Sequence, residues 1–80
     1  MTISQAVRKR IIELCKQNGT SVNALALDSG MTQSTLNDIV TGKTKNTGIV
    51  TLRKICAGLE IEVREFFDST YFIGLEHEID

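Results

Sequence analysis

Proline is absent from these 80 residues, so no position in the chain forbids a helix from running through it. Soft metal ligands are scarce: there are two cysteines, Cys15 and Cys56, and one histidine, His77. That set is too small for a closed four-ligand zinc site or for a disulfide framework. Both cysteines fall on apolar helical stripes, where a thiol behaves as a small hydrophobe. No metal and no cofactor is expected. Long apolar runs are also missing. The longest, Ile49-Val50, Phe66-Phe67 and Tyr71-Phe72-Ile73, fall far short of the roughly 18 to 20 residues that cross a bilayer, and Met1-Thr2-Ile3-Ser4 opens no secretory pattern. A cytoplasmic protein with no membrane contact is expected. With a single histidine far from the body and no glycine-rich phosphate loop, a nucleophile, base and orienting group cannot be assembled, so no enzyme is expected.

What is there is the composition of a soluble globular chain, 41% apolar and 24% charged. The length admits one small domain, whose core typically leaves only about 3 to 5 kcal/mol of net stability. Oligomerisation would add to that. The net charge of −1 conceals two opposed parts. Residues 1–58 carry eight basic side chains (Arg8, Lys9, Arg10, Lys16, Lys43, Lys45, Arg53, Lys54) against Glu13, Asp28 and Asp38, a net of +5. Residues 59–80 carry Arg64 against seven carboxylates, a net of −6, so the acidic whole says little about what the body binds.

The chain reads as short helices opened by hydroxyl caps and mostly closed by glycine. Thr2-Ile3-Ser4-Gln5 has capping-box spacing, and Ile3, Val7, Ile11, Leu14 and Cys15 then recur at helical intervals up to Asn18-Gly19. Ser21 caps a second helix with Leu25 and Ala26 inward and Gly30 at its end. Thr32 caps a third with Leu36, Ile39 and Val40 inward and Gly42 closing it. A fourth runs from about Gly48 to Leu59, and Glu62 to Phe67 suits a short fifth. The predicted fold is therefore all-α with five helices.

Helices two and three are joined by a tight turn at Gly30-Met31-Thr32, which sets the third at a steep angle with its outer face protruding, the arrangement that enters a DNA major groove. Leu25-Ala26, then Gly30-Met31-Thr32-Gln33, then Leu36, Ile39 and Gly42 resemble the helix-turn-helix of the phage repressor and Cro type, the xenobiotic-response-element family. Gly42-Lys43-Thr44-Lys45-Asn46, Thr51-Leu52-Arg53-Lys54-Ile55 and Glu65-Phe66-Phe67 extend the resemblance over residues 2–68. It implies a lambda-repressor-like DNA-binding domain at 1–68 followed by an acidic, partly apolar tail at 69–80. Three positions depart from the family pattern. Val22 stands where a glutamine commonly begins helix two, Thr47 where proline often follows the loop, and Glu62 where a hydroxyl usually caps helix five.

With Leu36, Ile39 and Val40 inward, Gln33, Ser34, Asn37, Asp38 and Thr41 face outward. Glutamine and asparagine can pair with adenine through two hydrogen bonds, serine donates or accepts, and aspartate accepts from cytosine. Expected base contacts are Gln33, Ser34, Asn37 and Asp38, and the resemblance places Gln33, Ser34 and Asp38 most often against base edges. Expected phosphate contacts are Ser21, Asn23, Thr32, Thr35, Thr41, Lys43, Thr44, Lys45 and Asn46, with Arg8, Lys9 and Arg10 either joining them or forming a solvated face. The implied function is sequence-specific binding of double-stranded DNA by a transcriptional regulator, a repressor in type. An antitoxin-like module using the tail on a protein partner, and a helix-turn-helix scaffold that has lost DNA binding, are the alternatives. A homodimer is expected through Leu59, Ile61, Val63, Tyr71 and Phe72. The tail's apolar residues either enlarge that interface or fold back on their own chain.

Overall fold

The computed structural model describes residues 1–79; Asp80, the last residue of the expected tail, lies outside the described residues. Local capping sets where the helices start. In α1 (Ile3–Gln17), the Thr2 hydroxyl accepts from the Gln5 amide at 3.3 Å and the Gln5 side chain accepts from the Thr2 amide at 2.9 Å, a reciprocal box. Ser21 opens α2 (Val22–Asp28) by accepting from the Ala24 amide at 3.1 Å, and Thr32 opens α3 (Gln33–Val40) by accepting from the Thr35 amide at 3.1 Å. Then follow α4 (Ile49–Gly58) and α5 (Val63–Phe66), where the Glu65 carboxylate reaches back to the Glu62 amide at 3.2 Å. A single 3-10 turn spans Thr70–Phe72. Among the described residues there is no strand, and the one β-type contact is an isolated bridge between Thr2 and Glu76.

Three helices end by the same device. The amides of Thr20, Met31 and Ile61 each bond back five residues, to the carbonyls of Cys15, Ala26 and Cys56 at 2.9, 3.0 and 3.0 Å. This wrap needs a left-handed residue just before it, supplied after α2 by Gly30 at φ +71°. After α4 it is supplied by Glu60 at φ +58°, a conformation that costs a residue with a Cβ about 1 kcal/mol or more. The α2–α3 turn therefore forms without strain, while the α4–α5 turn carries some.

Packing joins the inward stripes into one core of Ile11, Leu14, Cys15, Leu25, Ala26, Leu36, Ile39, Leu52, Ile55, Cys56, Leu59 and Phe66. At Gly58 the crossing of α2 with α4 is so close that a Cβ would run into the Ser29 hydroxyl and the Leu25 side chain. Two expectations need correction. Ile3, the first residue of α1, is 47% exposed, and Ala6 is the fully buried residue there. Leu59, expected at a dimer interface, is only 7% exposed, because it continues the inward stripe of Leu52, Ile55 and Cys56. Burial pushes the Cys15 and Cys56 thiols above their ordinary pKa, in keeping with their role as small core hydrophobes.

The tail folds back on its own chain. Phe72 packs against the core and closes an aromatic triad with Phe66 and Phe67, its ring centroid 6.0 Å from the first and 4.8 Å from the second. Tyr71 is half-buried beside Lys9, Ile12 and Lys16 of α1, and the Glu76 amide bonds to the Met1 carbonyl at 3.0 Å. Phe72 thus has an apolar seat on its own domain while staying partly exposed, the fold-back alternative for the tail. Ile73 stays exposed.

Candidate nucleic-acid interface

Leu36 and Ile39 are buried and anchor α3 to the core, which leaves Gln33, Ser34, Thr35 and Asn37 exposed along its outer side. Asp38 is only half-buried, and its main-chain carbonyl accepts from the Thr44 amide at 2.9 Å. That bond ties the loop after α3 to the helix, so Lys43, Thr44, Lys45 and Asn46, all exposed, keep a fixed position relative to the outward face. Asn37 lies within reach of α2, its Nδ2 donating to Asn23 Oδ1 at 3.5 Å, a long contact across the two helices of the motif. Val22 is half-buried against the core, so the departure at this position exchanges a polar reach for packing.

The hydroxyls differ in what they have left to offer. Ser21 accepts from the Ala24 amide and keeps its own proton to donate. Thr32 and Thr35 bond to each other at 2.7 Å, so one of the pair retains a free proton. Thr41 instead donates to the Asn37 carbonyl at 2.7 Å, one turn back in its own helix. In the free chain the Thr41 proton is used within the helix, and its lone pairs face outward.

One element was overlooked in the sequence: the start of α4. Hydroxyl side chains cap α1, α2 and α3, whereas Gly48 begins α4 with no side-chain cap. Its first-turn amides therefore have no side chain to satisfy them. They adjoin a hollow of about 210 Å³ lined by Thr35, Asp38, Thr44, Asn46, Thr47 and Thr51, between α3 and α4. The hollow is bordered by hydroxyls and an amide, and also by Asp38, so the helix start offers donors beside one acidic residue. The available signal was a glycine where the other long helices have serine or threonine.

The basic cluster on α1 divides. Arg10 is turned inward, its side chain 11% exposed: Nε donates to the Phe66 carbonyl at 2.7 Å, and its terminal nitrogens donate to the Glu65 carbonyl at 2.8 Å and the Glu13 carboxylate at 2.6 Å. It satisfies carbonyls at the end of α5 and is not available to DNA. Arg8 is half-buried with its guanidinium against Gly42, beside the end of α3, where a cation meets the negative end of the helix dipole. Lys9 remains exposed.

Two anchored helices in a tight turn, an outward polar face and a flanking basic loop define a helix-turn-helix DNA-binding domain. The chain belongs to the Cro/C1-type HTH DNA-binding domain family, whose model matches residues 10–70. It is also similar to the HTH-type transcriptional regulator SlrR of Bacillus subtilis (strain 168), with 43% identity over 61 residues covering 75% of this chain. Those residues span 40% of that protein's length. The family is one of DNA-binding domains found in transcriptional regulators. Among the described residues no group of three or more His, Cys, Asp or Glu side chains is placed to hold a metal ion, and no helix is long and apolar enough to cross a membrane.

Proposed function

We propose that this protein reads a specific sequence in the major groove of double-stranded DNA with α3 and acts as a repressor by occupying an operator. The observation that carries this reading is the continuity of one polar surface. The exposed side of α3, the Lys43–Asn46 loop tied to it, and the uncapped start of α4 lie side by side. Gln33 and Ser34 at the exposed start of α3 are the base contacts, with Asn37 and Asp38 beside them. Ser21, Asn23, Thr32, Thr35, Lys43, Thr44, Lys45, Asn46 and the first-turn amides of α4 take phosphates, which set register and affinity without reading sequence.

A second copy completes the reader. One short helix covers a few base pairs, whereas two copies related by a two-fold axis read half-sites about 34 Å apart. The surface that remains for the contact is the α4–α5 connection, where Ile61 and Val63 are half-buried. Titration of labelled duplexes across a salt series tests the reading. Affinity should fall steeply with salt, each neutralised phosphate adding about −0.9 to the log–log slope. Binding that is absent, or indifferent to salt, would refute it.

A further inference from the structure

The tail beyond the 3-10 turn lies as a strap over the start of α1, and its last part is seated close to the basic loop. Glu78 reaches the start of α1, where its carboxylate accepts from the Ser4 amide at 3.0 Å and also from the Ser4 hydroxyl. Two residues earlier, the Glu76 carboxylate pairs with the Met1 ammonium at 2.9 Å. Glu78 and Ile79 share one depression with Ser4, Lys45 and Asn46, so the carboxylate and the loop lysine border the same space. The bonds from Ser4, with a smaller contribution from the Lys45 charge, hold the Glu78 carboxyl below the usual carboxylate range and keep it anionic at neutral pH.

We propose that the C-terminal strap is autoinhibitory: seated on Ser4, Glu78 puts a negative charge beside Lys45 and Asn46 that opposes a DNA backbone phosphate arriving at the same loop, and DNA binding displaces it. The proposal rests on the DNA-binding reading given above. A carboxylate and a phosphate compete for the same kinds of donor, and two anions cannot share one lysine without mutual repulsion. The strap is held to the domain at this end by a few exposed polar contacts, so releasing Glu78 disturbs no core residue. Upstream, Phe72 keeps the chain anchored when the last residues lift away.

The test measures duplex affinity of the full chain and of Glu78→Gln, with Asp68→Asn as a variant of equal charge change away from Ser4. Glu78→Gln should bind roughly three- to tenfold more tightly near 0.1 M salt, and the gain should shrink in high salt as screening removes it. Asp68→Asn should change affinity less than about twofold, as expected of an exposed charge without a close partner. In the labelled wild-type protein, the Ser4 amide resonance should move on saturation with duplex. Equal affinity of Glu78→Gln and wild type, an equal gain from Asp68→Asn, or a Ser4 resonance that stays in place would each overturn the proposal while leaving DNA binding intact. Failure of every variant to bind duplex would overturn both this proposal and the DNA-binding reading.

Discussion

The two ends of this small domain treat their polar groups in opposite ways. Around α3 the side chains of Gln33, Ser34, Lys43, Lys45 and Asn46 are exposed and, among the described residues, make no hydrogen bond or ion pair, while at the α1–α5 end Arg10 and Glu13 are bonded within the chain. The first region is anchored by apolar contacts from below, chiefly Leu36 and Ile39, which need nothing from the polar face. The second lacks length for such anchoring, since α5 has only four residues, and relies on one large ring and one arginine. Charge alone does not distinguish a binding residue from a structural one. Arg10 and Lys45 look alike in the sequence, and the difference is whether backbone carbonyls converge on the cation.

This contrast can be broken most strongly at Phe66, the largest fully buried side chain. Phe66→Ala should cost about 3 to 5 kcal/mol, comparable with the whole stability of a domain this size, and leave the chain largely unfolded by circular dichroism at 25 °C. Arg10→Ala should cost about 1.5 to 3 kcal/mol in urea unfolding by stranding the carbonyls of Glu65 and Phe66. Arg10→Lys should restore little, because one ammonium cannot reproduce the fork. Duplex affinity of Arg10→Ala, measured where it is still folded, should match wild type. Lys45→Ala should do the reverse, leaving the melting temperature in place and removing about 0.9 from the salt slope equally on all duplexes. The smallest effect is expected at Glu60, whose left-handed backbone suits glycine. Glu60→Gly should raise stability by up to about 1 kcal/mol, detectable as a shifted urea midpoint.

The helices were legible because their signals are local. Thr2, Ser21 and Thr32 each cap within three residues, and the apolar spacing that follows sets the inward face within one helix. The exposed face of α3 was legible for the same reason, as the complement of Leu36 and Ile39. What escaped the sequence is contact across distance. The carbonyls that hold Arg10 lie more than 50 positions away, and nothing near it marks them. Likewise, Glu76 and Glu78 are a run of charge in the sequence until the fold brings Met1 and Ser4 beneath them. The hydrogen bond of the Thr41 hydroxyl is local again, because a threonine late in a helix commonly bonds one turn back.

Selection of bound duplexes from a random pool, run in parallel for the wild-type chain and Gln33→Ala, tests most directly whether α3 is the reader. Wild type should return one preferred half-site in two-fold repeat, and Gln33→Ala should return the same site with preference relaxed at one base pair, at a cost of about 1 to 3 kcal/mol on the wild-type sequence. An identical selected sequence at undiminished affinity would contradict the assignment of α3 as the element that reads DNA.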